Sequence, residues 1–414
     1  MPKVIKDSRL SPPLGPYCYA FRAGDYMFLG GTPGTIPEPL MVNGIPKGRM
    51  AGETPGRADM GAQTTQAIES LKLAVEIAGG NWEDVLRLNL FVTYWCEIDP
   101  FLDAYQKACA PGAPAETLAR YGLYMPSMIM EIEGIAAVGK SSPITPAKQP
   151  KNKYAPSNAG RRIGDLLCLS ALLPLDADGK VVHTGNPRAQ TEAIIKDLSD
   201  TLEKNGASLN DTVRLRVYVR EFRDVADVKA AIAAAFPDPA PVTTVIVAPT
   251  PIVEATVMIE PTAYVGEKIY ETGPGNARAV IVGDMAFTNG IISVDESGTV
   301  VHPDDISGQT QKVLKDAKTL LEKLGMSVAD ITQSQITVPD YRDFDAYNVF
   351  YRDFVPFPFP ARSTAEAGIG DFEQRGLKYQ IELTAVRNAS EIGIVATAEE
   401  NYYFQRIEIE NKSS

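Results

Sequence analysis

The chain has 414 residues, of which 44% are hydrophobic and 22% are charged, a composition that excludes disordered and fibrous proteins. At roughly 100–200 residues per domain, two to four domains are expected. The net charge of −12 argues against a nucleic-acid-binding surface, which needs clustered positive charge.

The N-terminal sequence MPKVIKDSRLSPPLGPY has no apolar stretch of the kind that secretory signals contain. No apolar run reaches the ~18 residues of a transmembrane helix. We therefore expect a cytoplasmic protein that contacts neither a membrane nor a nucleic acid.

The sequence patterns support neither a metal site nor a cofactor-binding site. The two histidines, His183 and His302, belong to no HExxH motif and no Cys/His cluster, which argues against a zinc site. No GxGxxG motif follows a strand pattern, which argues against a dinucleotide. We expect no metal and no cofactor.

Three segments of the chain repeat one another. Stretches of 30 residues that begin at Gln63, Gln190 and Gln309 align without gaps. They read QTTQAIESLKLAVEIAGGNWEDVLRLNLFV, QTEAIIKDLSDTLEKNGASLNDTVRLRVYV and QTQKVLKDAKTLLEKLGMSVADITQSQITV. Self-similarity at a fixed period indicates a structural unit that is repeated three times along the chain.

Each stretch predicts a helix followed by a strand. Apolar residues at helical spacing, such as Ile68 and Leu71, indicate an amphipathic helix with one buried face. Gly79, Gly206 and Gly325 stand where a helix C-cap glycine belongs. The alternation in the segment that follows, LRLNLFV in copy 1, is typical of a strand.

The repeat extends in both directions. Upstream, a Gly-Asp pair leads an apolar strand in every copy, and in copies 2 and 3 a hairpin turn follows around Gly179 and Gly298. Copy 1 instead has a longer Pro/Gly-rich segment, 33–58, which we predict as a loop and a candidate lid. A second helix and a last strand complete a β-β-α-β-α-β unit.

We predict three units, over residues 1–140, 153–265 and 272–390, and a C-terminal extension over residues 391–414. The extension lies outside the repeats. We expect it to add a strand or an arm across a neighbouring copy.

Each unit resembles the RidA (YjgF-like, reactive intermediate deaminase) family. The matching stretches include GPYCYAF at Gly15, the Gly-Asp strand, the helix that begins with Gln-Thr, and EIEGIAAV at Glu131. PARST at Pro360 is the strongest single match. The resemblance covers residues 10–390 as three degenerate copies.

The resemblance implies an α+β fold of the chorismate-mutase-like kind. The family forms trimers with a central sheet barrel, outer helices and sites in the clefts between subunits. Three copies in one chain therefore imply a pseudo-threefold trimer within a single polypeptide. We expect the chain to be a monomer or to form a low-order homo-oligomer. Its expected binding partner is a small-molecule substrate that carries a carboxylate.

The resemblance also implies that the arginine of the PARS motif, Arg362 in copy 3, holds the substrate carboxylate in a bidentate contact. A surface or interface salt bridge is the alternative role for Arg362. Alignment puts Glu116 of copy 1 and Thr243 of copy 2 at this position. Glu116 reflects either decay of the site or a cleft that binds a cation or a hydrogen-bond donor.

Other family positions survive in different copies. The asparagine of the second helix is kept as Asn348 in copy 3, and Tyr105 and Lys229 are the residues we align with it. Asn348 either binds substrate or only caps and packs its helix.

The water-orienting glutamate of the family corresponds to Glu131 in copy 1, Met258 in copy 2 and Gln380 in copy 3. Glu131 either acts on the substrate or is a plain strand carboxylate. Gln380 can form hydrogen bonds but cannot take a proton. The tyrosine of the GPY motif is kept as Tyr17. Glu131, Tyr17 and Gln380 are the candidate catalytic residues.

Four further residues of copy 3 complete the candidate substrate-binding set: Ser363, Thr364, Asn289 and Gly290. No copy holds every residue of the family's set. We therefore predict one complete site, in which Arg362 and Asn348 face Tyr17 or Glu131 of another copy across a cleft. The sequence leaves open which copy faces Arg362.

The leading hypothesis is a cofactor-independent hydrolase or deaminase that acts on a small carboxylate-bearing imine, enamine or related compound. Two alternatives stay open. One is hydrolysis of another bond, a heterocyclic ring amide or an enol ether, although the tripled chain argues against a chorismatase. The other is a protein that binds a small ligand without catalysis.

Overall fold

The structure is a computed structural model, and it describes residues 1–42, 45–54, 58–109, 114–273, 276–370 and 374–399. Three units follow one another along the chain, and each combines a mixed sheet with two main helices. Among the helices of this described part, none is both long enough and apolar enough to cross a lipid bilayer.

Copy 1 and the segment after it contain β1 (Lys3–Asp7), β2 (Ala20–Ala23), β3 (Tyr26–Pro33), β4 (Thr35–Val42), β5 (Ile45–Met50), α1 (Met60–Ile77), β6 (Val85–Val92), α2 (Ile98–Cys109), β7 (Ala115–Arg120), β8 (Met130–Ala137) and β9 (Ser142–Pro143). Copy 2 contains β10 (Gly160–Ile163), β11 (Leu166–Leu169), α3 (Pro187–Lys204), β12 (Thr212–Val219), α4 (Val225–Ala235), β13 (Val242–Val247) and β14 (Val257–Tyr264).

Copy 3 and the C-terminal extension contain β15 (Ile269–Gly273), β16 (Asn276–Val282), β17 (Met285–Thr288), β18 (Ile291–Ile292), α5 (Ile306–Lys323), β19 (Ile331–Val338), α6 (Phe344–Phe354), β20 (Ala361–Glu366), β21 (Gly368–Ile369), β22 (Gln380–Val386), α7 (Ala389–Ile392) and β23 (Ile394–Ala398).

The first helix of each copy begins and ends as the sequence predicts. Its N-cap side chain, from Asp59, Asn186 or Asp305, accepts a hydrogen bond from a backbone N–H of the first turn. A glycine with positive φ follows each helix: Gly79 (81°), Gly206 (70°) and Gly325 (67°). The prediction of C-cap glycines is therefore confirmed, because this left-handed conformation favours glycine.

Each unit follows the predicted order of elements with one addition that all three copies share, while copy 1 also has β4 and β5, and copy 3 has the short strands β18 and β21. A further strand, β7, β13 or β20, lies between the second helix and the last strand. It pairs in parallel with β6, β12 or β19, which in turn pairs antiparallel with β8, β14 or β22. The PARST motif lies on this additional strand in copy 3.

The segment 33–58 differs from the sequence prediction. It contains the antiparallel pair β4–β5, so the prediction of a loop is wrong for this stretch. Residues 43–44 and 55–57 lie outside the described residues. The use of this hairpin as a lid stays a prediction.

The ladders of the described strands form three seven-stranded sheets, one built mainly from each copy, and the separate two-stranded sheet β4–β5. The main helices cover one face of each sheet, as Ile68 and Leu71 of α1 do in copy 1. The opposite faces pack together, since Phe28, Cys168 and Phe287 of the three copies belong to one hydrophobic cluster. The closed central barrel stays a prediction, because these ladders are three separate sheets.

Each copy contacts both of the others. The backbone of Cys18 in copy 1 forms an isolated parallel β-bridge with that of Ala361 in copy 3. Strand β21 of copy 3 pairs with β13 of copy 2. Between copies 1 and 2, the Ala171 N–H donates to the Glu116 carbonyl oxygen over 2.8 Å. The strand that carries Arg362 therefore faces copy 1, which answers a question that the sequence leaves open.

The described part of the C-terminal extension, residues 391–399, adds a strand to copy 1, and residues 400–414 lie outside the described residues. Strand β23 lies between β1 and β2 in the sheet of copy 1, parallel to β1 and antiparallel to β2. Val395 and Ala396 of this strand are fully buried. The extension thus ties the end of copy 3 to copy 1, at the interface that also holds Arg362.

Replacing the buried Val395 by aspartate is expected to lower the free energy of unfolding by about 3 kcal/mol or more, because an unpaired carboxylate would enter an apolar cluster. The control is Ile392→Asp, since the Ile392 side chain is 51% exposed. Urea unfolding of both variants measures the difference. Equal effects at the two positions would contradict a structural role for β23.

Buried ion pairs connect the copies at the centre of the molecule. Arg87 of copy 1 lies 3.1 Å from Glu260 of copy 2, and Arg214 of copy 2 lies 2.8 Å from Glu382 of copy 3. All four side chains are at most 6% exposed. Each arginine therefore pairs with a carboxylate of another copy.

Arg216 is the centre of this network. Its guanidinium lies 3.3 Å from Glu133 of copy 1, 3.9 Å from Glu260 of copy 2 and 3.1 Å from Glu382 of copy 3. One arginine thus contacts a carboxylate from every copy. Buried charges need such partners, because removing one partner leaves another charge uncompensated.

The Arg216→Met variant is expected to lose about 3–5 kcal/mol of unfolding free energy, the usual cost of breaking a buried ion pair. Arg188→Met is the matched control, because Arg188 forms an exposed pair with Glu192 that contributes little. Chemical denaturation of both variants measures the contrast. A loss at Arg216 no larger than at Arg188 would show that the network is not stabilised by its central cation.

Candidate active site between copies 3 and 1

The sheet register tests the alignment of the three copies. Glu116, Thr243 and Arg362 are each the second residue of the additional strand, and each pairs with the same position of the neighbouring long strand. The three residues are therefore structurally equivalent. Each of the three interfaces accordingly has a different residue at this position.

Arg362 is 3% exposed and lies among aromatic rings. Its Nη1 donates to Asn348 Oδ1 over 2.5 Å. The guanidinium carbon lies 5.4 Å from the ring centre of Tyr17, 5.6 Å from Phe344 and 5.2 Å from Tyr351. Cation–π contacts of this kind hold a guanidinium in place without neutralising it.

Tyr17 comes from copy 1, so the interface brings the GPY and PARST motifs together. The Tyr17 hydroxyl accepts a hydrogen bond from the Leu14 N–H over 3.2 Å. Burial raises the pKa of Tyr17, so its hydroxyl stays protonated at neutral pH. The contact of Tyr17 with Arg362 is made by the ring rather than by the hydroxyl.

Two glycines make room for the charged side chains of this interface. A Cβ atom on Gly15 would clash with Nη2 of Arg362. A Cβ atom on Gly31 would clash with Glu131 Oε1 and would lie 3.1 Å from Cβ of Ser363. The glycines therefore allow Arg362 and Glu131 to approach the backbone of copy 1.

Glu131 lies on β8 and lines the same cleft as Arg362. Its Oε1 atom is buried and forms no hydrogen bond with the residues that the structure describes. Burial and, to a smaller extent, the nearby Glu133 raise the pKa of Glu131 to about 8, although Arg362 acts in the opposite direction. The carboxyl group is therefore mostly protonated at neutral pH, as a general acid must be.

Glu133 links the cleft to the central ion pairs. It accepts hydrogen bonds from Asn89 over 2.9 Å, and also from Gln335 and from the Ser363 hydroxyl. Arg216 contacts the same carboxylate. The Ser363 hydroxyl, predicted to bind substrate, is thus directed to Glu133.

Aromatic side chains narrow the cleft to a cavity of about 30 Å³. The rings of Tyr124 and Phe344 lie 4.2 Å apart at their centres, and Tyr341 donates its hydroxyl to the Thr364 carbonyl oxygen. The Thr364 hydroxyl lies 2.7 Å from the Tyr347 hydroxyl. A ligand larger than one or two water molecules therefore requires these side chains to move.

The other predicted residues lie elsewhere. A Cβ atom on Gly290 would lie 2.8 Å from Cδ of Gln380 and 2.8 Å from Cγ2 of Thr244 in copy 2. The backbone N–H of Asn289 donates to the Arg278 carbonyl oxygen. Gln380 and Gly290 thus lie beside copy 2, and neither is among the residues that line the cavity of Arg362. The roles of Gln380, Asn289 and Gly290 in catalysis and substrate binding stay predictions.

The helix register corrects one alignment. Asn348 is the fifth residue of α6, as Lys229 is of α4 and Leu102 is of α2. Tyr105 is instead the eighth residue of its helix, which makes it equivalent to Tyr351. The tyrosine that contacts Arg362 in copy 3 therefore has a counterpart beside Glu116 in copy 1.

The sequence also contains GIAAVGKS at residues 134–141, which matches the P-loop pattern GxxxxGK[ST]. Its first residues lie within β8, and the short strand β9 follows, where a P-loop needs a loop and a helix. The match is therefore accidental. Within the described part of the chain, no group of three His, Cys, Asp or Glu side chains could hold a metal ion.

The sequence profile of the family described as endoribonuclease L-PSP matches residues 8–138, 146–265 and 268–387. The chain belongs to this family. The family is the RidA (YjgF-like) group that the sequence analysis names, so that resemblance is confirmed. The family profile therefore occurs three times in tandem.

A similar protein is the 3-aminoacrylate deaminase RutC of Acinetobacter baylyi, 34% identical over 86 residues, which cover 21% of this chain and 68% of RutC. A solved chorismatase matches with a TM-score of 0.54 and 16% identity, over 74% of this chain and 94% of the chorismatase. This likeness concerns the fold alone. It extends well beyond a single copy, so the tripled chain is no argument against a chorismatase fold.

Proposed function

We propose that the cleft between copies 3 and 1 hydrolyses a small carboxylate-bearing imine or enamine and releases ammonia. The observation that carries the proposal is that Arg362 and Glu131, from different copies, line one cavity. Membership of the RidA family and the likeness to a deaminase support the reaction class.

Arg362 binds the substrate carboxylate in this mechanism. Its guanidinium is held by Asn348 and by aromatic rings, so it is oriented before the substrate enters. Burial strengthens the attraction to an anion, because little water competes. The planar guanidinium fork matches the two oxygens of a carboxylate.

Glu131 moves the protons. Its protonated carboxyl group donates a proton to the enamine carbon, which converts the enamine into an iminium ion. The carboxylate then takes a proton from water while the water oxygen bonds to the iminium carbon. Glu131 then relays the hydroxyl proton of this adduct to its nitrogen, the carbon–nitrogen bond breaks, and the products are a carbonyl compound and ammonia. Glu131 ends protonated, so the net reaction consumes one water molecule.

The likeness to RutC suggests 3-aminoacrylate as the first substrate to test, with 2-aminoacrylate as a second. Both are generated enzymatically in the assay because they decay in water. We expect the full chain to raise the rate of ammonia release above the spontaneous rate. Ammonia release no faster than without the protein, together with a thermal shift on adding carboxylates, would favour the non-catalytic ligand-binding alternative.

A further inference from the structure

A second cavity lies between copies 1 and 2, at the position that corresponds to the Arg362 cleft. Its volume is about 280 Å³, much larger than that of the cleft. Leu90, Leu102 and Leu118 of copy 1 line it together with Tyr154 of the segment that leads into copy 2. The cavity therefore has room for a small organic ligand and offers apolar contact to it.

Glu116 is the acidic group that lines this cavity, it is 8% exposed, and burial raises its pKa. Its two oxygens accept hydrogen bonds from the Ser157 N–H over 2.9 Å and the Ser157 hydroxyl over 2.6 Å. Among the described residues, no Lys, Arg or His lies within ion-pair distance of this carboxylate. A buried carboxylate without a cation is costly, so its retention calls for an explanation.

Tyr105 supplies a second polar atom to the same cavity. Its side chain is 3% exposed and lies next to Glu116 and the Cys109 thiol. The hydroxyl lies close enough to the Glu116 carboxyl group and the Cys109 thiol to interact with both, although it makes no hydrogen bond of ordinary geometry with the described residues. A hydroxyl in this state can accept a hydrogen bond from a ligand, and buried polar groups are rarely left without a partner.

A cation at the rim of the cavity is already engaged. Lys153 forms an ion pair with Asp99 over 2.7 Å, and its ammonium lies 5.1 Å from the centre of the Tyr154 ring. The Lys153 side chain is 52% exposed. Lys153 therefore connects the two copies at the surface through Asp99. It does not form an ion pair with Glu116.

We propose that the cavity between copies 1 and 2 binds a small primary ammonium compound with an apolar body. The ammonium donates hydrogen bonds to Glu116 and to the Tyr105 hydroxyl, and the apolar body contacts the three leucines and Tyr154. Because Glu116 stands at the position of Arg362, the two clefts have opposite charge preferences. The proposal is independent of the reaction at the other cleft.

Phenethylammonium is the probe, and 3-phenylpropionate and 3-phenylpropanol are controls of similar size with a negative and a neutral group. Calorimetry and ligand-observed NMR on the full chain are expected to show saturable binding of phenethylammonium at millimolar concentration or below. The anion is expected to bind at least tenfold more weakly, and the alcohol to lie between them.

Glu116→Gln is expected to weaken phenethylammonium binding at least tenfold, and Tyr105→Phe several-fold. Glu116→Arg is expected to reverse the preference in favour of 3-phenylpropionate. Arg362→Ala serves as the independent control, because it changes the other cleft and is expected to leave phenethylammonium binding unchanged. Comparable spectra in the near-ultraviolet establish that each variant is folded.

Three results would overturn the proposal: no saturable binding of phenethylammonium, equal binding of the anion, or unchanged affinity in folded Glu116→Gln. Binding that disappears in Arg362→Ala would do so as well, since it would place the probe in the other cleft. Failure of ammonia release does not bear on this test, because the readout is binding alone.

Discussion

Arg362→Ala is expected to lower kcat/KM for ammonia release about 100- to 1000-fold. The loss corresponds to about 3–4 kcal/mol of transition-state stabilisation, which is typical for removing one partner of a buried, charge-assisted contact. Arg362→Lys is expected to recover only part of the activity, because a lysine retains the charge but not the planar fork. Steady-state kinetics with 3-aminoacrylate generated in the assay measures both variants.

Thr243→Ala is the matched control for Arg362, because Thr243 holds the equivalent position in copy 2. The activity of this variant is expected to stay within about twofold of that of the parent protein. Thr243 does not line the cleft of Arg362, and substitutions away from a site usually have small effects on activity. If Arg362→Ala remained folded and equally active, the carboxylate would have to be bound elsewhere.

Glu131→Gln is expected to reduce kcat/KM about 100-fold or more, because an amide cannot supply or take the proton. In the parent protein, kcat/KM is expected to fall above pH 8, where the Glu131 carboxyl group loses its proton. The residual activity of the variant is expected to lack this decline. A pH profile of the two proteins between pH 5 and 10 measures the difference.

The same substitution tests the raised pKa without any substrate. A carboxyl group whose pKa is raised to about 8 in the folded protein ionises first in the unfolded chain, so the parent protein loses stability as the pH rises from about 4.5 to about 8. The loss is on the order of 5 kcal/mol, and above about pH 8 this carboxyl group adds no further change in stability. Glu131→Gln is expected to lack it.

Urea unfolding at pH 5, 7 and 9 checks this second outcome. Glu254→Gln is the control, since Glu254 is an exposed glutamate of copy 2. If the stability difference between Glu131→Gln and the parent protein did not change with pH, the Glu131 carboxyl group would not titrate near pH 8. Its role as a proton donor would then be excluded.

The sequence was sufficient to predict the elements that local patterns encode. The repeat of Gln-Thr helix, glycine and alternating strand places α1, α3 and α5 and the strands after them, because helical and strand periodicities act over a few neighbouring residues. Arg362 and Glu131 were found from motifs, and the complementary losses between copies indicated that they belong to one site. The sequence does not predict the additional strand, because segments such as PAETLAR in copy 1 are too short to show a clear alternation of apolar and polar residues.

What the sequence did not encode locally was the order of the copies around the centre. That order decides that Arg362 faces copy 1 and that Gln380 faces copy 2, and it depends on how three sheets pack. The sequence did contain one signal for the central ion pairs. Glu133, Glu260 and Glu382 stand at the same position of the buried last strand in every copy.

The aromatic side chains around Arg362 gave a weaker signal. Phe344 and Tyr351 are four and three residues from Asn348 on α6, a spacing that serves a buried helix face equally well. Their contact with the guanidinium follows from the tertiary structure, since α6 and β20 meet only after folding.

The central ion pairs make the copies non-interchangeable. Copy 2 contributes two of the central arginines, copy 1 contributes one, and copy 3 has Gln333 and Gln335 at the corresponding positions, while each copy contributes one glutamate. A homotrimer of copy 3 would bury three glutamates without an arginine, and one of copy 2 would bury a surplus of arginines. Copies 2 and 3 thus depend on the fused chain for a balanced buried charge, whereas three copies of copy 1 would pair three arginines with three glutamates.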